Sequence, residues 1–311
     1  MVPITLLMPV RNGAQYVDGI MQGLIANADS GDEILVIDDG STDKTPELLH
    51  AWSNKFPNFR ILTTPGIGLV NSLNLGFSES DNEWVARFDV DDAYPDLRLA
   101  KQRELISEKI SVIFADYSVY LDGVKYAGTI PSPVTHLATL LSLVNSQQTA
   151  HPVSLINKKS FNFAGGYQED EFPAEDLGLW VRMAKFGELI SVPESLLSYR
   201  LSKTSVSATR RSQALEKKGE IVEKLIPLIS KNLDSADKVR QVFEGMSGAP
   251  LEVDRKILYL RNLRTFLKMA GKEKMTITAD TPNFYKYLIT HPFNVLRFAF
   301  YQNRRNRFRR I

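Results

Sequence analysis

What most constrains this chain is an alternation that persists through its first two hundred residues. Short β-rich runs, Ile4–Met8, Glu33–Ile37, Arg60–Leu62, Trp84–Phe88 and Val112–Ala115, are bounded by polar or Gly/Pro signals. Between them lie Ala14–Asn27, Lys44–Asn54, Leu69–Glu79 and Leu97–Glu108, whose apolar residues recur at three- and four-residue spacing. Such alternation demands βαβ units and a Rossmann-like, mainly parallel sheet flanked by helices, with ligands at the carboxyl ends of the strands. From Asp116 to Pro133 the pattern turns irregular, with a hairpin-like Asp122-Gly123. Helix-like Thr135–Val144 and Leu177–Lys185 follow, with a strand expected at Val153–Ile156. Beyond Ser207 strand signals stop, and Ser212–Leu228, Ala236–Phe243 and Asp254–Met269 read as helices leading to Phe293–Tyr301. The expected organisation is an α/β domain over residues 1–207 and a helical extension over 208–311.

Composition excludes several classes at once. The 311 residues include no cysteine, which removes disulfide scaffolds, thiolate metal sites and cysteine nucleophiles. No apolar run reaches the ~18 residues of a spanning helix. The opening MVPITLLMPVRNG lacks a basic n-region and reaches Pro9 too early for a signal peptide, so a cytoplasmic location is expected. Net charge is +2, but residues 291–311 hold Arg297, Arg304, Arg305, Arg307, Arg309 and Arg310 and no acid, leaving −4 for the rest. A mildly acidic body with a basic tail argues against a nucleic-acid groove and for an anionic surface that meets the tail alone.

Acids gather where strands end. Glu33–Ile37 runs into Asp38-Asp39-Gly40-Ser41-Thr42-Asp43, which reads as a ligand edge or as a capped turn with Gly40 at positive φ. Trp84–Phe88 runs into Asp89-Val90-Asp91-Asp92, where alternate residues of an extended segment share a side. Asp89 and Asp91 therefore form a D-x-D pair of the oxygen donors that Mg²⁺ or Mn²⁺ prefers; the competing reading is a solvated acidic turn. A third cluster, Glu175-Asp176, opens a helix whose inner face would be Leu177, Trp180, Val181 and Ala184. It reads either as a general base at a cleft mouth or as charges placed on the helix dipole. Other motifs fail: Gly66-Ile67-Gly68-Leu69-Val70-Asn71 lacks the last glycine of a dinucleotide fingerprint, and the four histidines form no H-E-x-x-H.

The ordered set MPVRNG, VIDDGSTD, GLVNSLNLGF, RFDVDD, HPVSLINKKSFNFAGGY and AEDLGLWVRMAKFGELISVPESLLSYR resembles the family 2 glycosyltransferases over about residues 3–207. The resemblance implies a GT-A fold. It also implies inverting transfer of a sugar from a nucleoside diphosphate to a hydroxyl, with Mn²⁺ or Mg²⁺ on the diphosphate. It places Pro9 and Arg11 beside the nucleobase, although the family commonly has Tyr where Arg11 stands. Asp39 matches the acid that accepts the N3–H of uracil, favouring a UDP- or dTDP-sugar. Asp91 matches the direct metal ligand, with Asp89 near the ribose or the metal's waters. Asp176 matches the base; Glu175, Trp180 and Arg182 match its acceptor-side neighbours, and His151 the His-Pro element of the donor or acceptor pocket.

The extension carries no such match. Phe293, Leu296, Phe298, Phe300 and Tyr301 stand beside the arginine cluster, a pairing suited to anionic lipid; a packed helix with a frayed basic end is the alternative. The expectation is a peripheral enzyme at the inner face of the cell membrane, adding sugars to a glycan acceptor, lipid-linked, in surface polysaccharide synthesis. A nucleotidyltransferase would also use acids and a metal but normally has a glycine-rich phosphate loop, for which Arg11-Asn12-Gly13 is a thin substitute. A catalytically dead nucleotide-sugar scaffold would have no need of Asp39, Asp89, Asp91 and Asp176 together.

Overall fold

The computed structural model describes residues 1–121, 124–145, 149–201 and 210–232. Residues Met1–Leu225 form one compact unit. Its centre is an eight-stranded sheet of β1 (Ile4–Val10), β2 (Glu33–Asp38), β3 (Phe59–Thr63), β4 (Trp84–Arg87), β5 (Ile110–Leu121), β6 (Val124–Ile130), β7 (Leu155–Asn157) and β8 (Glu188–Leu201). The order is β3-β2-β1-β4-β7-β5-β6, with β8 on β5. Pairs β1–β2, β1–β4, β2–β3 and β5–β8 are parallel, whereas β7 runs antiparallel to β4 and β5, and β6 to β5. The sheet is thus mixed and mainly parallel, as the alternation requires.

Every residue of β1 and β2 is buried, which explains their unbroken apolar runs: helices cover both faces. The helices are α1 (Ala14–Asn27), α2 (Thr45–Ser53), α3 (Leu69–Glu79), α4 (Arg98–Arg103), α5 (His136–Asn145), α6 (Lys158–Phe163), α7 (Glu175–Met183) and α8 (Arg211–Asn232). Strand alternation separates two layers. Ile4, Leu6, Met8 and Ala86 pack with Val17, Ile20, Leu24, Leu49 and Leu99, so α1, α2 and α4 lie on one face. On the other, Leu7 presses against Gly76 of α3 so closely that a Cβ there would collide, and Phe114 meets Trp180 of α7 edge-on at 5.0 Å.

Four local expectations are corrected. The helix over Leu97–Glu108 ends at Arg103, after which Leu105 and Ile106 form tighter turns to Gln102 and Arg103. The irregular 116–133 stretch is the continuation of β5 followed by β6; the turn at Asp122-Gly123 lies outside the described residues. Pro152 sets a 3-10 turn over His151–Val153, so β7 starts two residues later than Val153. Finally, β8 fills a stretch for which no element was expected: Val192 faces Ala115 but Ser195 faces Asp116, so Pro193 and Glu194 form a bulge, a position where a strand tolerates proline. Ser212–Leu228 falls within α8, whereas Ala236–Phe243, Asp254–Met269, Phe293–Tyr301 and the arginine tail lie outside the described residues.

Candidate active site

The carboxyl edge of the sheet is built from loops that hold one another. After β1 the chain turns at Asn12, whose φ of 54° is left-handed. Its backbone N–H donates to Ser41 Oγ at 2.9 Å and its side-chain carbonyl accepts from Thr42 N at 2.8 Å, stitching the β1–α1 loop to the β2–α2 loop. Gly13 permits this turn because a Cβ would meet Val10 at 2.8 Å and Val90 at 3.0 Å. Pro9 is buried near the end of β1, and exposed Arg11 brings its guanidinium beside Gly66 and acts electrostatically on Asp39.

Asp39 organises the next loop. Its carboxylate accepts from Thr64 Oγ1 and Ile67 N, both at 2.6 Å, and from Gly68 N at 2.9 Å. Burial pushes its pKa up, but these three bonds and the Arg11 charge outweigh burial and hold it below the usual carboxylate range. Gly66 and Gly68, at φ 94° and 87°, supply the turn that aims both amides at the acid. A carboxylate offers about four lone-pair positions, so one remains for a further donor.

At the end of β4, Arg87 and Asp89 share a side of the strand. The buried Arg87 guanidinium donates to Asp89 Oδ1 at 2.5 Å and to Phe88 O at 2.6 Å. Asp89 N donates to the Tyr94 hydroxyl at 2.8 Å, and fully buried Arg98 stacks its guanidinium 4.0 Å from the Phe88 ring centroid, backing the loop from behind. Asp91 differs from Asp89. Among the described residues no other side chain donates to its carboxylate, and burial followed by the Asp89 charge pushes its pKa up.

The α7 acids reach the same edge. Asp176 Oδ1 accepts from Leu177 N at 2.7 Å, and Asp176 is half-buried. Glu175 is 7% exposed with its Oε2 unpartnered; burial, then the Asp176 charge, raise its pKa to about 7. Asp89 and Arg87 act electrostatically on Glu175 as well, so two clusters far apart in sequence form one charged site. Between them stands Tyr167, whose hydroxyl lies 2.7 Å from His151 Nε2. Burial, then Arg87, depress the His151 pKa well below its ordinary value, so this imidazole is neutral.

Two residues matched to the acceptor side stand behind it. Trp180 is fully buried, edge-on to Phe114 and to His151 at 5.8 Å. Arg182 is spent on Glu171, Ala164 O and Gly166 O, holding the Gly165-Gly166-Tyr167 loop. Both support the wall of this edge, Trp180 by packing and Arg182 by its hydrogen bonds. Sequence reading missed Arg87, Tyr94, Arg98 and Tyr167. For Arg87 a signal existed: a cation two residues before Asp89 on a strand must share its side.

Among the described residues no group of three or more His, Asp or Glu gathers as a self-sufficient cation site. The donor set at Asp91 still fits a divalent ion, since Mg²⁺ and Mn²⁺ are commonly held by one or two carboxylates plus substrate phosphates.

A mainly parallel sheet with acids converging at its carboxyl edge defines an α/β enzyme of GT-A architecture. The chain belongs to glycosyl transferase family 2, whose profile matches residues 5–160. It is 24% identical to the uncharacterized glycosyltransferase YibD of Escherichia coli, over 93% of this chain and 87% of that protein. With an uncharacterized glycosyltransferase of Haemophilus influenzae it shares 25% identity over 66% of this chain and 67% of the relative. The structure of S. aureus TarS 1-349 in complex with UDP-GlcNAc matches with a TM-score of 0.58 at 15% identity, covering 89% of this chain and 77% of that one. Mannosyltransferase PcManGT from Pyrobaculum calidifontis, in complex with GDP-Man and Mn²⁺, matches at 0.53 and 14% identity, over 95% and 83%.

Proposed function

We propose that this glycosyltransferase moves a sugar from a UDP- or dTDP-sugar to a hydroxyl of a glycan acceptor by a single inverting displacement that depends on Mn²⁺ or Mg²⁺. The observation that carries the reading is the convergence of Asp89 and Asp91 with Glu175 and Asp176 on one edge, around buried Arg87. Asp91, with Asp89 beside it, would hold the divalent ion. Bound there, that ion would neutralise the charge developing on the departing diphosphate. Asp39, with Pro9 and Arg11 alongside, receives the pyrimidine through its remaining lone pair. Asp176 takes the acceptor hydroxyl's proton; a sugar hydroxyl is too weak a nucleophile without a base in hydrogen-bond reach. Neutral His151, through Tyr167, lines the same chamber without adding charge. The competing roles for the acids, turn and helix capping, leave their convergence without a reason.

We further infer a lipid-linked acceptor in surface polysaccharide synthesis, reached from the cytoplasmic side. This rests on the basic, aromatic stretch 293–310, which suits an anionic surface, each basic residue contributing about 1 kcal/mol. No helix among the described residues is long and apolar enough to cross a membrane. The test is a panel of nucleotide sugars scored for metal-dependent binding and donor hydrolysis. Hydrolysis of a uridine or thymidine donor only with Mn²⁺ or Mg²⁺ supports the reading; no binding of any donor refutes it. Deleting Asn303–Ile311 should release the protein from anionic vesicles and leave hydrolysis intact.

A further inference from the structure

Arg87 is a charge in a place that rarely takes one. It ends β4, a strand buried at all four residues and paired with β1 on one side and β7 on the other. Its side chain is only 3% exposed. Arginine is almost never buried so fully unless paired. A buried ion pair is nonetheless weak evidence for stability, because well-packed apolar residues often serve as well. Nor is this cation fully engaged by the fold. Nη1 carries the bonds to both Asp89 Oδ1 and Phe88 O, while Nε finds no partner. A purely structural role leaves the choice of arginine here unexplained.

What Arg87 does is cancel charge. Asp89 bears on Asp91 and on Asp92 as a like charge, and Arg87 and Arg200 are the cations that act on Asp91. Arg200 is exposed, so water and salt screen it. Arg87 is buried, and in that lower dielectric its charge is felt more strongly. Its pair with Asp89 is neutral as a unit, which leaves Asp91 to meet an incoming ion. One carboxylate is a poor trap for a hydrated divalent cation, which is commonly held by one or two carboxylates together with substrate phosphates. Without the guanidinium, two carboxylates on one side of an extended segment, Asp89 and Asp91, would face the ion together.

We infer that Arg87 is a positioning residue acting through Asp89: by engaging that carboxylate it keeps the affinity of the β4 acids for a bare divalent cation low, so that the ion is retained only in company with a diphosphate. The same cancellation lets the ion leave with the product diphosphate. The effect on the bare ion stands on the end of β4 alone; the part played by the diphosphate rests on the transferase reading.

The test measures Mn²⁺ binding to the full chain by water-proton relaxation, which rises when the ion joins a slowly tumbling protein and stays low when it joins free UDP. The parent should hold Mn²⁺ at least tenfold more tightly with UDP than without. Arg87→Gln removes the charge but keeps an amide that can donate to Phe88 O, and its affinity for bare Mn²⁺ should rise tenfold or more. Arg87→Met, which fills the buried slot with an apolar chain, gives the same comparison should glutamine not be tolerated there. Arg87→Lys keeps the charge and should stay at the parent's level. Adding Asp89→Asn to Arg87→Gln should abolish the gain. A merely structural arginine would instead give variants that bind Mn²⁺ no better than the parent. The inference is overturned if neutral variants gain no affinity, if the gain survives the loss of Asp89, or if a parent that binds UDP holds bare Mn²⁺ just as tightly. A gain in Arg87→Gln from a parent that binds no nucleotide would leave the hold on the bare ion standing and remove the transferase reading.

Discussion

Arg87 and Asp89 form an ion pair of 2.5 Å at the end of β4, with the guanidinium almost wholly buried. Two residues later, Asp91 lies against the same acids with no cation of its own beyond the longer-range charges of Arg200 and Arg87. The D-x-D pair is therefore asymmetric: one carboxylate is neutralised by the protein and the other awaits a partner.

That asymmetry predicts the outcome of Asp91→Ala. Affinity for a nucleoside diphosphate in Mn²⁺ should fall at least tenfold, and the difference between Mn²⁺ and EDTA should vanish. Isothermal titration measures both. Unchanged metal dependence in the variant would place the ion elsewhere.

Asp39 has two separable jobs. Its three bonds to Thr64, Ile67 and Gly68 hold the loop before α3, so Asp39→Asn should lower stability by about 1–3 kcal/mol, because an amide nitrogen repels donors it replaces an acceptor for. Its remaining lone pair should favour uracil or thymine, which carry an N3–H, over cytosine, which does not. The parent should bind UDP well above CDP, and the variant should lose that preference. A destabilised variant with the UDP-to-CDP ratio unaltered would reduce Asp39 to a loop residue.

Glu175 predicts a pH dependence of folding. Its carboxyl titrates near 7 in the fold, raised from 4.5 by burial and by Asp176. Below about pH 4.5 folded and unfolded chains both hold the proton, and the group is neutral in cost. Between 4.5 and 7 the unfolded chain releases it first, so stability falls as pH rises and levels off above 7. Glu175→Gln removes this penalty. The variant should match the parent near pH 4 and melt several degrees higher above pH 7, at about 2–4 °C per kcal/mol. A stability gap independent of pH would show that Glu175 ionises freely.

How much of this was legible in the sequence depends on where each side chain finds its partner. β1, β2 and β4 read correctly because strands buried on both faces carry unbroken apolar runs, with polar residues confined mostly to their ends, and α1 and α3 because one helical stripe faces the sheet. β5 read too short because it carries Asp116 and Ser118 inside. Asp116 accepts from Ser132 N, two residues beyond β6, and Ser118 pairs with Ser195 of β8 at 3.1 Å. Polar residues satisfied by distant neighbours look like loop until the neighbours are known. The same holds at the site. Asp89, Asp91 and Asp176 stand out as acids at element ends, and Arg87 is readable from its two-residue spacing to Asp89, whereas buried Arg98 is intelligible only once the Asp89–Asp92 loop is seen above it.

Asp176 offers the sharpest test of the mechanism. Substitution by Asn keeps size and the side-chain oxygen that accepts from Leu177 N at 2.7 Å, but removes basicity. If Asp176 serves only the start of α7, Asn does so nearly as well, and neither melting temperature nor transfer rate should change much. If it takes the acceptor's proton, the fold and UDP affinity should persist while transfer falls by about 10²-fold or more. One variant therefore separates the two roles through rate and melting temperature measured together. Donor hydrolysis by water should fall less than transfer to the acceptor when the base is lost, because water reaches the sugar carbon without needing one fixed partner. Normal transfer by Asp176→Asn would move the base to Glu175, which shares the helix turn, and Glu175→Gln would then have to abolish transfer.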